Sequence, residues 1–167
     1  MFLSNRGLSN EAGIHVFCYG PKDEMLVRSY FADFINKKGQ RFRIIECDLY
    51  KIFLKICEEK RILKGIYNME KKKGPEVLLK QLQMAILPED FVKKMKYDSH
   101  KYGDILLITG VGKVYPFMRS HNILDNIQHI FSDIPVVMLY PGFYNGQELS
   151  LFSEYDDGNY YRAFNII

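Results

Sequence analysis

The chain has 167 residues, of which 47% are hydrophobic and 26% are charged, and its formal net charge is +3. This composition is ordinary for a globular protein, and the length predicts one domain, residues 1–167, with a sizeable core. No apolar run approaches the ~20 residues of a membrane-spanning helix, and the polar first residues do not resemble a secretory signal. We therefore expect a cytoplasmic protein with no membrane segment.

Five segments have the pattern of β-strands. Two of them, 104–109 and 134–140, are nearly continuous apolar runs, which is typical of strands covered on both faces in a parallel sheet. The predicted strands are 14–19, 41–48, 104–109, 134–140 and 161–166.

Amphipathic segments between these strands predict helices. Pro21 opens the first, Asp48 is the predicted N-cap of the second, and Pro75 and Pro88 begin two more. Residues 49–98 are thus a predicted helical insertion. The predicted fold class is α/β, with a largely parallel five-stranded sheet flanked by helices in a P-loop-like or Rossmann-like three-layer arrangement.

The segment 109–121 is the most informative part of the chain. It joins a predicted strand to a predicted helix over 122–131, and its Gly112-Lys113 resembles the end of a phosphate-binding loop, G-x-x-x-x-G-K-[ST]. However, Leu107 stands where the first glycine belongs, and Val114 replaces the hydroxyl residue that binds magnesium. We expect a polar loop with no phosphate-binding motif, no cofactor and no nucleotide hydrolysis.

Polar and aromatic residues near this segment have two interpretations each. Arg119 and His121, beside Tyr115, have the chemistry to bind a phosphate or carboxylate, or else they order the loop through backbone carbonyls. A Gly/Pro turn is predicted over 140–146, where Phe143 and Tyr144 either anchor a partner or close the end of the core.

The positive charge is concentrated in the predicted insertion. Residues 51–101 contain 13 Lys and Arg against 7 Asp and Glu. Such a surplus indicates a surface for nucleic acid or for an acidic protein, or simply a solvated helical face. The lysines that carry the nucleic-acid alternative are Lys71, Lys72, Lys73, Lys93 and Lys94.

Metal chemistry has little support in the sequence. The three cysteines lack metal-ligand spacing and are predicted to be reduced thiols, and no His-x-x-x-His pair occurs. His100, at the end of the insertion, is predicted to be solvated.

Several separated segments resemble the BrxB family of BREX phage-exclusion proteins. They are Phe2–Glu11, Tyr19–Glu24, Thr109–Leu124, Tyr140–Phe152 and Asn159–Phe164. The resemblance implies a non-catalytic antiviral-defence protein that acts as an adaptor for other BREX proteins, notably PglZ, an alkaline-phosphatase-like protein. The alternative is a nucleotide- or nucleic-acid-binding protein that uses the same sheet edge. The residues assigned to partner binding or loop ordering are Lys113, Tyr115, Arg119, His121, Phe143, Tyr144 and Arg162.

Overall fold

A computed structural model describes residues 13–37, 39, 41–156 and 164–165. The strands of this part of the chain are β1 (Ile14–Tyr19), β2 (Arg43–Asp48), β3 (Asp104–Thr109), β4 (Val136–Tyr144), β5 (Leu149–Leu151), β6 (Tyr155–Asp156) and β7 (Phe164–Asn165). The helices are α1 (Glu24–Asn36), α2 (Leu49–Glu59), α3 (Ile66–Lys73), α4 (Pro75–Ala85), α5 (Pro88–Met95), α6 (Val111–Val114) and α7 (Ser120–Ile127). Short 3-10 turns occupy Pro21–Asp23 and Leu63–Gly65.

The main sheet has the strand order β2-β3-β4-β1-β7, and every neighbouring pair in it is parallel. This confirms the predicted α/β fold with a parallel five-stranded sheet. The small strands β5 and β6 add to the far end of β4 in antiparallel fashion. Because parallel strands all point the same way, the ends of β1, β2 and β3 lie along one edge of the sheet, hereafter the C-terminal edge.

The two faces of the sheet are covered very differently. On the first face, Val16, Leu106 and Met138 belong to a large core that also includes buried residues of α2, α4, α5 and α7. On the second face, Leu107, Val137 and Leu139 pack against residues of α1. Alternate residues along each strand point to opposite faces, so the continuous apolar runs of β3 and β4 supply both cores.

Helix α1 covers the second face only partly. Val27, Phe31 and Ile35 pack towards the sheet, whereas Leu26 and Tyr30 are 71% and 63% exposed. One helix presents a single stripe to a sheet, so apolar residues outside that stripe stay in solvent.

Helices α2 to α5 form the predicted insertion between β2 and β3, within the bounds 49–98. The predicted N-cap of α2 is confirmed, because Asp48 Oδ1 accepts hydrogen bonds from the backbone amides of Tyr50 and Lys51 at 3.0 and 3.1 Å. Buried Phe53 and Ile56 of α2 and Phe91 of α5 attach the insertion to the first face of the sheet.

A buried carboxylate lies at the opposite, N-terminal edge of the sheet. Asp104 accepts two hydrogen bonds from Arg43 on the neighbouring strand, at 2.8 and 2.6 Å. The Tyr97 hydroxyl and the Lys101 amide donate to the same carboxylate, at 3.0 and 2.9 Å. The Arg43 guanidinium is the main reason that the pKa of the Asp104 carboxyl falls to about 2. This network fastens the start of β3 to β2.

Three local predictions need correction. The Gly/Pro turn predicted over 140–146 is wrong, because β4 continues through Tyr144 and the turn follows it. The segment predicted as a polar loop instead contains the short helix α6, and α7 begins at Ser120 and ends at Ile127, earlier than predicted at both ends. His100 is not solvated: its Nδ1 lies 2.7 Å from Asp133 Oδ1, and its ring stacks on Phe131.

Candidate functional site

The turn from β3 into α6 is shaped by close packing. Gly110 has φ +75°, a conformation that favours glycine, and it caps the N-terminus of α6. A Cβ atom on Gly110 would lie 2.6 Å from Asp48 Oδ1. Asp48 itself caps α2, so the ends of β2 and β3 meet at this point and leave no room for a side chain.

Gly112 is also explained by its neighbours. A Cβ atom there would lie 2.9 Å from the Phe152 ring and 3.1 Å from Cγ of Pro141. Gly110 and Gly112 therefore bring α6 against α2 and the β4–β5 region, although Gly112 with Lys113 gave the segment its likeness to a phosphate-binding loop. They serve packing between elements of this fold.

Two small cavities flank α6 at the C-terminal edge. The first, which we call the α1–β3 cleft, has a volume of about 200 Å³ and contains Lys113. The second, which we call the α6–β5 pocket, has a volume of about 230 Å³ and contains Tyr115 and Arg119. The structure thus places Lys113 apart from Tyr115 and Arg119, although they are close in sequence.

The α1–β3 cleft has mixed charge. Lys113 shares it with two basic residues, Arg28 and Lys51, and with two acidic residues, Glu24 and Glu46. Each acidic residue already has a neutral partner in the cleft. The Tyr19 hydroxyl donates to Glu24, and the Thr109 hydroxyl donates to Glu46 Oε1 at 3.0 Å.

These partners determine the electrostatics of the cleft. Burial, followed by the hydrogen bond to Glu24, raises the pKa of Tyr19. The Tyr19 phenol therefore stays neutral, while the carboxylates of Glu24 and Glu46 offset much of the positive charge. The cleft does not offer the concentrated positive field that a phosphate group needs.

The α6–β5 pocket has the composition of a protein-binding surface. Its lining residues are Val111, Tyr115, Met118, Arg119, Ser120, Tyr140, Leu151, Glu154 and Tyr155. The rings of Tyr115 and Tyr155 are 5.6 Å apart, and Arg119 is exposed beside them. Tyrosine, methionine and arginine are the side chains enriched at protein interfaces.

The remaining assigned residues have separate environments. His121 is half-buried on α7 and lines neither cavity. Phe143 is 60% exposed near the end of β4, whereas Tyr144 is buried and its hydroxyl donates to the Gly146 carbonyl at 3.0 Å. Burial of Tyr144 favours the interpretation that it closes the end of the core. Arg162 lies outside the described residues.

The five lysines assigned to the nucleic-acid alternative lie on two helices, α3 and α5, that pack against different neighbours. Lys71, Lys72 and Lys73 are exposed in the last turn of α3, which packs against α4. Lys93 and Lys94 are on α5, which packs against α2 and α7, and Lys94 Nζ lies 2.6 Å from Glu59 Oε2. The ion pair makes Lys94 a poor candidate for phosphate contacts.

Some residues of the α6–β5 pocket were not found from the sequence. The sequence pattern assigned no role to Met118, Glu154 or Tyr155. The sequence gives only a weak indication of a role for Tyr155, because a tyrosine between polar residues does not show which other segment it will contact in the fold.

Neither a side-chain cluster suited to a metal ion nor a membrane-spanning helix occurs in the part of the chain that the structure describes. Among residues 13–37, 39, 41–156 and 164–165 there is no group of three or more His, Cys, Asp or Glu side chains suited to a metal ion. No helix within the same ranges has the length and apolarity that crossing a bilayer requires.

Comparison with known proteins identifies the family. The chain is 43% identical over 171 residues to a BREX protein BrxB of Bacillus cereus (strain H3081.97), covering 99% of this chain and 89% of that protein. It is 30% identical over 169 residues to a BREX protein BrxB of Escherichia coli O9:H4 (strain HS), covering 99% and 84% of the two chains. No solved structure matches. The family model of BREX protein BrxB matches residues 45–166, and the chain therefore belongs to the BrxB family of BREX proteins.

Proposed function

We propose that this protein is a non-catalytic adaptor of a BREX-type antiviral defence system, and that it binds another BREX protein, such as PglZ, through the C-terminal edge of its sheet. Membership of the BrxB family supports a role within a BREX system. The adaptor role and the choice of PglZ are expectations from the family resemblance, to which the surface chemistry of this edge adds support.

The observation that carries the proposal is the position of Arg119. Arg119 is exposed at the α6–β5 pocket beside half-buried Tyr115 and exposed Tyr155, and Phe143 lies exposed on the strand beyond. Exposed aromatic rings beside an arginine are typical of the residues that contribute most to protein binding. The pocket volume of about 230 Å³ is below the ~300–1,000 Å³ of most cofactor sites, which favours a side chain of a partner as its occupant.

The test is an affinity titration of the full chain with PglZ of the same BREX system, at low and high salt. Arg119→Ala should weaken binding by about tenfold or more, the loss of one well-placed interface arginine. Phe143→Ala should weaken it as well. Lys55→Ala is the matched control, because Lys55 is an exposed cation on α2 that lines neither cavity beside α6. Lys71→Ala, Lys72→Ala and Lys73→Ala, in the last turn of α3, test the basic insertion as the docking surface.

A docking surface on the basic insertion gives a different result in the same assay. If the lysine substitutions abolish binding in a strongly salt-dependent way, and Arg119→Ala has no effect, then α3 is the binding surface and the assignment to the sheet edge is wrong. Failure of the wild-type chain to bind PglZ would reject PglZ as the partner.

A further inference from the structure

A third cavity lies in the helical insertion, away from the C-terminal edge. It is an open groove of about 520 Å³ between α3 and α4, closed at one end by the turn before α3. We call it the α3–α4 groove. Its lining is mostly apolar and consists of Arg61, Ile62, Gly65, Ile66, Met69, Leu78, Gln81, Leu82, Met84 and Ala85.

The α4 side of the groove is rigid. Leu78 and Leu82 are buried and form its floor. The C-terminal end of α4 is held by Lys60, whose Nζ donates to the Ala85 carbonyl at 2.7 Å and also pairs with Asp90 at 2.7 Å. A firm apolar floor limits the entropy that a ligand must lose on binding.

The α3 side of the groove is incompletely packed. Helix α3 has no buried residue, and its apolar residues Ile66 and Met69 are only half covered. Across the groove Met84 is 79% exposed, and Tyr67 on α3 is also exposed. Two helices with apolar residues facing an open groove, with flexible methionines on both walls, are typical of a site that accepts a third helix.

Positive charge predominates in the segment that forms the groove. Residues 61–85 contain six Lys and Arg against two Asp and Glu. Arg61 marks one end, and Lys72 and Lys73 follow Met69 by three and four residues, the spacing that places helical side chains on one face. Among the residues that the structure describes, these three cations make no ion pair.

We propose that the α3–α4 groove binds an amphipathic helix of a partner protein, with an apolar stripe on the groove floor and acidic residues against Arg61, Lys72 and Lys73. The apolar lining distinguishes this occupant from nucleic acid, whose phosphates need polar contacts along their whole path. A second copy of this chain is a poor occupant, because a two-fold interface would set the same positively charged patch against itself. The inference does not rest on the adaptor proposal, since the groove and the α6–β5 pocket share no residue.

The experiment uses the full chain and three synthetic helical peptides of about 18 residues, long enough to span the ~16 Å of α4. One peptide has a leucine stripe flanked by glutamates, the second has the same stripe flanked by lysines, and the third has the glutamates with the stripe changed to serine. Fluorescence anisotropy measures each affinity. We expect the first peptide to bind with Kd about 10 µM or tighter, and the other two at least about tenfold more weakly.

Two variants locate the binding. Met84→Asp places a carboxylate on the rim of the groove and should weaken the first peptide about tenfold or more, because an acidic group there repels the glutamates and interrupts the apolar wall. Met25→Asp is the matched control, since Met25 is 72% exposed on α1, on the other face of the sheet. The double change Lys72→Glu and Lys73→Glu should reverse the preference towards the lysine-flanked peptide.

Three results would overturn the proposal. They are no binding of the first peptide below about 1 mM, equal binding of the acidic and basic peptides, or equal peptide affinity of the Met84→Asp and Met25→Asp variants.

A labelled DNA duplex is included as a further probe. The proposal is wrong, and the surface is one for nucleic acid, if the wild-type chain binds this DNA, the Lys72→Glu and Lys73→Glu double variant does not, and Met84→Asp has no effect on DNA binding. Arg119→Ala should not change peptide binding, because Arg119 lines the α6–β5 pocket and not the groove. Failure of this proposal and failure of the adaptor proposal are therefore distinguishable.

Discussion

Replacing Asp104 by asparagine should destabilise the protein more than any change of a surface carboxylate. The carboxylate of Asp104 is 1% exposed and accepts four hydrogen bonds, from Arg43, Tyr97 and the Lys101 amide. In Asp104→Asn an amide NH₂ group replaces one acceptor oxygen, so a donor group faces the donors of Arg43, Tyr97 or Lys101 and the negative charge is lost. We expect a loss of about 2–4 kcal/mol in the free energy of unfolding at pH 7, as for other broken buried charge networks.

The pH dependence gives an independent estimate of the same interaction. The pKa of Asp104 is lowered from 3.8 to about 2 in the folded chain, first because of the Arg43 hydrogen bond. A carboxyl group with a lowered pKa stabilises the fold above its unfolded pKa, and this stabilisation disappears as the pH falls through the folded pKa. At ~1.4 kcal/mol per unit, the contribution is about 2 kcal/mol at neutral pH. It should decrease by about 1 kcal/mol between pH 5 and pH 3.

Urea unfolding of the wild-type chain and of Asp104→Asn at pH 7, 5 and 3 measures both quantities. The stability difference between the two proteins should be largest at pH 7 and pH 5 and should narrow at pH 3. Asp125→Asn, an exposed position on α7, is the control and should change stability by less than about 0.5 kcal/mol. A difference that is small at pH 7, or that does not vary with pH, would refute the assignment of the network as a stabilising one.

Two further predictions concern the segment between β3 and α7. Gly110→Ala should lower stability by about 2–3 kcal/mol in urea unfolding, whereas Gly146→Ala should cost only about 1 kcal/mol. Both glycines have positive φ, but only at Gly110 would a Cβ meet another group, Asp48, so equal losses would contradict the packing argument. Calorimetry with ATP and magnesium should detect no binding tighter than about 10 µM, because Val114 offers no magnesium ligand and the first loop glycine is absent. A tighter, magnesium-dependent isotherm would contradict that reasoning.

The sequence by itself determined the fold class and most element positions. The apolar runs of β3 and β4 predicted strands buried on both faces, and Asp48 predicted the N-cap of α2, because these are local rules of period and hydrogen bonding. The extent of β4 was not accessible in this way. Pro141 and Gly142 signal a turn locally, yet β4 continues through them because its pairing with β5 forms a hairpin farther on, and Gly142 lies so close to the Ser150 carbonyl that no Cβ fits there.

The candidate sites depend on the tertiary structure more than the fold class does. Lys113, Tyr115 and Arg119 are neighbours in one short segment of the sequence, but the turn of α6 directs Lys113 into one cavity and Tyr115 with Arg119 into another. Tyr155 reaches the same pocket as Tyr115 only because β5 and β6 fold back along the end of β4. Long-range strand pairing has no signature in a single sequence window.

The family resemblance can be read from the sequence, whereas the candidate binding sites depend on the tertiary structure. The spaced motifs by themselves indicate a BrxB-like chain, since motif residues and their order are properties of the sequence. The α3–α4 groove, the Asp104 network and the two cavities beside α6 arise from which faces of the helices meet. Local propensity fixes the helices themselves, whereas only their packing decides which apolar residues are buried and which, such as Met84, stay exposed.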